Sequence, residues 1–126
     1  MQKKVKISVT ADGVEGFFRR AHEHARKLDR GVALAPEITV TFESVADMLR
    51  VLSAERVRLL RVAREGATPI ADLASGLERD TRAVSRDVDL LESFGLLRTR
   101  YETNPGHGRR RIVEPRAARY QLMATV

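Results

Sequence analysis

Residues 70–97 are IADLASGLERDTRAVSRDVDLLESFGLL, and this stretch predicts two helices that are joined by a tight turn. The first helix begins beside a proline, which is tolerated at a helix start, and we expect Gly76 to end it. The second helix is expected over residues 80–94, with Asp80 or Thr81 at its start. Three of its apolar residues are spaced to face the core: Val84, Val88 and Leu91.

The sequence on either side of this pair predicts further helices before it and a β-hairpin after it. Ser44 and Ser53 are N-cap candidates for two upstream helices. Residues 96–103 and 109–114 have the pattern of extended strands. Residues 104–108 between them contain one proline and two glycines, a composition typical of hairpin loops.

The two outer parts of the chain predict strands and one amphipathic helix. Residues 5–9, 38–42 and 120–126 alternate apolar with polar side chains, as half-buried strands do. A helix is expected between the first two strands, over residues 12–29. Its apolar residues fall on one face at spacings of three and four: Val14, Phe17, Phe18, Ala21, Ala25 and Leu28.

The composition favours a nucleic-acid partner and excludes several chemistries. The 126 residues include 23 Lys and Arg against 17 Asp and Glu, a formal net charge of +6, and a basic surplus favours a polyanionic partner. The absence of cysteine excludes disulfides, thiolate zinc sites and cysteine nucleophiles. His22 and His24 are two residues apart on a predicted helix and diverge, so we expect no metal site. No cofactor motif or catalytic arrangement is recognisable, and we do not expect an enzyme.

The sequence also predicts a cytoplasmic protein without a membrane partner. No stretch approaches the ~20 apolar residues that a bilayer-spanning helix needs. Residues 1–10 have no apolar segment of the kind that a signal peptide requires. The lack of cysteine is consistent with a reducing compartment.

The order of elements over residues 53–114 resembles a winged helix-turn-helix, in which the final hairpin is the wing. The residues that carry a resemblance to the MarR and ArsR families of regulators are Ile70-Ala71-Asp72-Leu73-Ala74, Leu77, Thr81, Val84-Ser85-Arg86, Val88, Leu91 and Gly95-Leu96-Leu97. In that pattern a small Ala74 lets two helices cross closely, and Gly95 permits the exit into the wing. The resemblance implies an α+β fold: a winged helix-turn-helix with an added N-terminal strand-helix-strand and a C-terminal strand.

This fold divides the chain into three segments. We expect residues 1–43 to form a strand-helix-strand element for dimerisation or partner binding. Residues 44–116 would form the winged helix-turn-helix DNA-binding domain, and residues 117–126 a C-terminal strand.

A second resemblance implies an alternative partner. The residues concerned are Phe42-Glu43-Ser44, Leu52-Ser53, Glu55-Arg56, Leu59-Leu60, Arg86-Asp87-Val88, Leu91 and Gly95-Leu96-Leu97. They are similar to a group of small MarR-like DNA-binding proteins of archaea and bacteria. Some members of that group are thought to act as antitoxins beside a toxin gene, which implies a toxin or another protein as partner.

The helix over residues 80–94 is the candidate recognition helix, because an α-helix fits the major groove of B-form DNA. Its predicted DNA-binding residues lie opposite the core face or at the amino end: Arg79, Thr81, Arg82, Ser85 and Arg86. Arginine can donate two hydrogen bonds to guanine, and hydroxyl groups can serve bases or phosphates. Three acidic residues are expected to lie at the sides and orient the arginines: Asp80, Asp87 and Asp89. The alternative is a solvated face on which Arg82 and Arg86 pair with Asp89 or Glu78.

The predicted wing carries the densest basic patch in the sequence. Its candidate DNA-binding residues are Arg98, Arg100, His107, Arg109, Arg110 and Arg111. Phosphates and a narrow minor groove both attract arginine. Because alternate residues of a strand face opposite ways, at most two of the three consecutive arginines easily share one surface. The alternative is a charged edge that discourages aggregation between strands.

Taken together, these patterns predict a sequence-specific double-stranded DNA-binding transcriptional regulator that acts as a homodimer. The recognition helix would enter the major groove, and the wing would contact the backbone or the minor groove. Dimerisation is inferred because two linked half-site contacts multiply affinity. Two alternatives remain: an antitoxin or adaptor that mainly binds a protein, with autoregulatory DNA binding, and a winged helix that binds RNA or assembles into transcription machinery.

Overall fold

The computed structural model describes residues 5–34 and 36–125. Its elements in chain order are β1 (Lys6–Thr10), α1 (Gly13–Asp29), β2 (Glu37–Thr41), α2 (Val45–Val51), α3 (Ala54–Ala63), β3 (Thr68–Pro69), α4 (Ile70–Leu77), α5 (Thr81–Ser93), β4 (Leu97–Thr103), β5 (Arg109–Pro115) and β6 (Arg119–Leu122). Across these residues, no helix has the length and apolar character needed to span a membrane. The strands form two three-stranded sheets, ordered β2-β1-β6 and β3-β5-β4.

The winged helix-turn-helix is formed by α3, α4 and α5 together with the second sheet, and this confirms the predicted fold class. β4 and β5 make the antiparallel hairpin of the wing, in register from Leu97↔Pro115 to Thr103↔Arg109. The short strand β3 pairs with the other side of β5. The sequence pattern indicated a helix start at this segment, but Thr68 and Pro69 are extended, and the helix begins only at Ile70.

The turn between α4 and α5 differs from its prediction. Gly76 lies inside α4, so the expectation that it ends the helix is wrong. Glu78 takes the left-handed conformation instead, with φ of 54°. The backbone N–H groups of Glu78 and Arg79 then donate to the carbonyls of Ser75 and Ala74, which satisfies the end of the helix.

The first sheet joins the two outer parts of the chain. β1 lies in the middle and pairs in parallel with β2 and with β6. The strand predicted over residues 120–126 is shorter than expected, because its partner β1 ends at Thr10 and pairing stops near Met123, whose N–H donates to the Val9 carbonyl (2.8 Å). Of the predicted outer segments, residues 1–4, Ala35 and Val126 lie outside the described residues.

One hydrophobic core links this sheet to the winged helix. It contains Ile7 and Val9 of β1 and, as expected, the inward residues of α5: Val84, Val88 and Leu91. The Phe42 and Phe94 rings pack at a centroid distance of 5.2 Å. The Tyr120 hydroxyl donates to the Leu96 carbonyl and accepts from the Arg116 N–H (3.1 Å), and burial raises the pKa of Tyr120. The base of the wing is therefore held against β6.

Replacing Tyr120 with phenylalanine should destabilise the fold. The Leu96 carbonyl and the Arg116 N–H would lose their partner, which costs about 1–3 kcal/mol for a buried polar group. Urea unfolding measures the free energy of unfolding directly. Tyr101→Phe is the matched control, because Tyr101 is exposed, and an equal loss in both variants would contradict the role of the Tyr120 hydroxyl.

Candidate nucleic-acid interface

The amino end of α5 is fixed by its own cap. The Asp80 carboxylate accepts from the backbone N–H groups of Arg82 (3.1 Å) and Ala83 (3.3 Å). With Val84 buried, the helix is held at both its end and its inner face. Arg82 and Arg86 therefore project from the side of the helix that points away from the core.

Arg82 and Arg86 are exposed and have no ion-pair partner among residues 5–34 and 36–125. The alternative in which they pair with Asp89 or Glu78 is not what the structure shows. They are four positions apart in the sequence, so they lie about 6 Å apart along the helix axis. Thr81 is exposed one residue before Arg82, at the first turn. This face of α5 offers two uncommitted guanidinium groups.

Arg79 lies in a different environment, between α3 and α5. Its guanidinium donates to the buried Asp87 carboxylate (2.8 Å) and lies 3.5 Å from Glu55. Asp87 also accepts from Arg56 Nε (3.0 Å). Arg79 is therefore part of a four-residue ion cluster that ties the turn and α5 to α3. Asp87 was expected at the side of α5, but it is buried, and the arginines that it orients are Arg56 and Arg79.

Arg111 is likewise engaged inside the protein. Only 13% of its side chain is exposed, and its guanidinium contacts Asp89 (2.7 Å), Glu92 (3.3 Å) and the Ser85 hydroxyl (3.2 Å). Glu92 also accepts from the Thr99 N–H (2.8 Å). This network, which we call the wing clamp, joins α5 to β4 and β5. It also holds Ser85 and the acidic Asp89 close to a positive charge.

The hairpin register divides the remaining wing arginines between two faces. Arg98, Arg100 and Arg110 lie on the face away from α5, where they alternate with Glu102 and Glu114. Glu102 binds Arg100 (2.9 Å) and Arg110 (2.6 Å), Glu114 binds Arg100, and Arg98 lies 3.9 Å from Glu114. These contacts raise the pKa of Arg100 through Glu114 first and Glu102 second, and Arg100 and Arg110 lower the pKa of Glu102. This face is largely neutralised.

Arg109 lies on the opposite face of the hairpin, on the same side of β5 as Arg111. Its guanidinium stacks 4.7 Å from the centre of the Tyr101 ring. His107 is exposed at the tip, where the Asn104 N–H donates to the Gly108 carbonyl (2.6 Å) and closes the loop. Arg109 is thus an exposed cation beside α5.

A cleft of about 520 Å³ separates the wing from the amino ends of α4 and α5. It is lined by Pro69, Ile70, Ala71, Asp72, Ser85, Tyr101, Asn104, Arg109, Arg110 and Arg111. Tyr101 and Asn104 were not among the predicted DNA-binding residues, although strand alternation places Tyr101 on the same face as Arg109. In the described part of the chain, no three His, Asp or Glu side chains come together in a way that could hold a metal ion.

Comparison with known proteins places the chain in a family. A family model described as HVO_A0114 matches residues 51–114, just over half of the chain. No curated protein matches the sequence.

Several solved structures are similar to this chain. A possible transcriptional regulator from Methanosarcina mazei Go1 is 18% identical over 57% of this chain and 65% of its own, with a TM-score of 0.48. The homodimeric winged helix-turn-helix domain of Mb0332 from Mycobacterium bovis is 20% identical over 58% of this chain and 64% of its own, with a TM-score of 0.46. Reduced HlyU from Vibrio cholerae N16961 is 16% identical over 77% and 80%, with a TM-score of 0.47. The similarity thus spans less than two thirds of each of the first two structures. Through the match over residues 51–114, the chain belongs to the HVO_A0114 family.

Proposed function

We propose that this protein is a sequence-specific double-stranded DNA-binding transcriptional regulator, MarR-like in type, that acts in the cytoplasm. The observation that carries the proposal is the pair of uncommitted arginines, Arg82 and Arg86, on a capped and rigid α5. Each can donate two hydrogen bonds to a guanine in the major groove. Their spacing of about 6 Å is close to two base-pair steps of about 3.4 Å.

The surroundings of α5 support the same function. Arg109, stacked on Tyr101, lies across the cleft from α5 and can contact a phosphate or a minor groove. Asp89, which would repel a phosphate, is paired with Arg111. We therefore propose Thr81, Arg82, Arg86 and Arg109 as the principal contacts, with Ser85, Arg98, Arg100, His107 and Arg110 as secondary ones. Arg79 and Arg111 are proposed to position α5 and the wing.

Selection of duplexes from a random-sequence DNA pool tests the proposal. The expected result is that the selected duplexes share a consensus sequence. An RNA duplex of the same sequence should not displace the protein from this DNA. RNA should fail because the major groove of an A-form helix is too deep and narrow for α5. Enrichment of no sequence, or equal competition by RNA, would contradict sequence-specific DNA recognition.

Glu102→Gln should strengthen binding to every DNA sequence. Glu102 neutralises Arg100 and Arg110, so its loss frees positive charge on the outer face of the wing. One added phosphate contact makes the slope of log affinity against log salt steeper by about 0.9. Affinity measured by fluorescence anisotropy at several salt concentrations gives this slope. Glu65→Gln removes an equal charge at the end of α3 and should leave it unchanged. An unaltered slope in Glu102→Gln would mean that this face does not approach DNA.

We further propose that residues 44–116 form the DNA-binding unit and that residues 1–43 and 117–126, which share its core, provide the element for dimerisation or partner binding. A homodimer would place two copies of α5 on two half-sites of one operator. The expected result is that a purified complex with operator DNA contains two protein chains per operator. One chain per operator would contradict the proposal.

A second candidate function is that of an antitoxin or adaptor that mainly binds another protein. The observation that favours it is that large apolar residues of α1 are exposed, among them Phe17 (55%) and Phe18 (64%). Co-expression with the product of a neighbouring gene tests it. A stable complex that no longer binds DNA would favour this second function over the first.

A further inference from the structure

Helix α1 contacts the first sheet through its small and polar side. The buried residues of α1 are Gly13 and Gly16, which lie against Glu43 and Asp12, and Ser8 and Thr10 of β1 are buried polar residues that alternate with Ile7 and Val9. Arg20 donates to the Thr41 hydroxyl of β2 (2.8 Å). This is the reverse of the usual arrangement, in which an amphipathic helix buries its apolar face against the sheet.

The apolar side of α1 consequently points away from the protein. Its residues, which we call the apolar stripe, are Val14, Phe17, Phe18, Ala21, Ala25 and Leu28. Val14 and Phe17 are 55% exposed, Phe18 is 64% exposed and Leu28 is 61% exposed. Such a stripe is the kind of contiguous apolar patch that marks an interaction site.

The spacing within the apolar stripe is that of a helix-pairing seam. From Val14 it continues to Phe18, Ala21, Ala25 and Leu28, with steps of four, three, four and three residues. An apolar repeat averaging 3.5 residues keeps one side of a helix facing another helix. The stripe therefore fits a second helix better than a sheet or a flat surface.

In the part of the chain that the structure describes, the second half of α1 is little buried. Residues 21–30 are all exposed. A helical segment of this length is marginal in water unless packing stabilises it. The apolar stripe extends into this half, so an occupant of the stripe would provide the missing packing.

We propose that the apolar stripe binds the same stripe of a second copy of this chain, with the two α1 helices antiparallel and Ala21 at the two-fold axis. Val14 and Leu28 are each seven residues from Ala21, so the two-fold symmetry places Val14 of one copy opposite Leu28 of the other. Phe17, four residues before Ala21, then faces Ala25, four residues after it. The pair of Phe17 and Ala25 thus sets a large side chain against a small one, which favours close packing.

The charges on α1 favour the same antiparallel pairing. The first turn is acidic at Glu15, and the last turn is basic at Arg26 and Lys27. Reversing one helix brings Glu15 of one copy near the partner's Arg26 and Lys27, and it also opposes the two helix dipoles. An isologous contact of this kind closes as a dimer.

The large side chains of the apolar stripe supply a substantial part of the area that a dimer interface buries. Its four large side chains each leave roughly 100 Å² uncovered, so two copies would bury about 800 Å² from these residues alone. That is about half of a standard interface of about 1,600 Å², before the alanines and the flanking stems are counted.

Sedimentation velocity without DNA tests the dimer independently of DNA binding. The wild-type chain should be dimeric at micromolar concentration, and Phe18→Glu should weaken the dimer by roughly 30-fold or more, as expected for a central interface residue. Leu49→Glu introduces the same change at an exposed position of α2 and should remain dimeric. A monomeric wild-type chain, or a Phe18→Glu dimer of unchanged affinity, overturns the proposal. Circular dichroism verifies that each variant is folded.

Cysteine cross-linking tests the arrangement of the two helices, since the chain has no cysteine of its own. Ala21→Cys should form a disulfide-linked dimer on mild oxidation, because Ala21 lies at the two-fold axis. Glu23→Cys, which lies off the apolar stripe, should not. Ala25→Cys should also fail to cross-link with itself, and efficient self-cross-linking there would overturn the antiparallel arrangement.

Discussion

Replacing Arg82 and Arg86 together with alanine should weaken binding to the selected duplex by roughly 30-fold or more. Each bidentate arginine–guanine contact contributes about 1–3 kcal/mol of discrimination, so the pair would contribute about 2–6 kcal/mol. Neither side chain has an ion-pair partner in the described chain, so the fold should be unaffected. The measurement is fluorescence anisotropy with the selected duplex and with a scrambled duplex at the same salt concentration.

The comparison of the two duplexes separates base recognition from phosphate contact. Loss of preference for the selected duplex indicates base recognition, whereas equal weakening on both duplexes indicates phosphate contact. Arg61→Ala combined with Arg119→Ala removes the same charge from α3 and β6, outside the cleft, and should alter binding much less. If the Arg82 and Arg86 variant kept both affinity and preference, α5 would not be the recognition helix.

Asp87→Ala should be the most destabilising change in the interface. The buried Asp87 carboxylate lies between Arg56 (3.0 Å) and Arg79 (2.8 Å), and both guanidinium groups are mostly buried. Removing it leaves Arg56 without a counter-charge and Arg79 with only the more exposed Glu55, and breaking a buried pair costs about 3–5 kcal/mol. The midpoint of thermal unfolding should fall by roughly 10–20 °C in a chain of this size.

Two further variants separate this explanation from a general effect of losing an acidic residue. Asp47→Ala breaks a surface pair with Arg50 (3.1 Å) and should cost less than about 1 kcal/mol. Arg79→Ala should cost less in the Asp87→Ala protein than in the wild-type chain, because the contact is already gone. Equal costs in both backgrounds would show that the ion cluster does not stabilise the turn.

The recognition helix was predictable because its determinants are local. The spacing of Val84, Val88 and Leu91 indicated the buried face, and Asp80 indicated the cap, and both are found in the structure. The roles of Arg79 and Arg111 were not predictable in the same way. Their partners Glu55 and Glu92 are distant in sequence and meet them only after the helices and the wing have packed.

The wing and α1 show two other limits of sequence patterns. Alternation correctly indicated that three consecutive arginines cannot share one face, but the pairing of Arg110 with Glu102 depends on the register of the hairpin. The period of α1 indicated a helix and its apolar face, and no local pattern states what that face contacts. In the structure that face is exposed, while Arg20 on another side of α1 donates to the Thr41 hydroxyl of β2.

The wing clamp has a mechanical consequence. Arg111 holds the hairpin to α5 through Asp89, Glu92 and Ser85, so the wing and the helix should rotate and translate as one rigid body. If α5 lies in a groove of the DNA, the distance between the base pairs that α5 contacts and the DNA group that Arg109 contacts is then set by the protein and not by the DNA. The distance between the contacts of α5 and of Arg109 would then be fixed. A DNA site with one extra base pair between these two contacts would lose one of them completely.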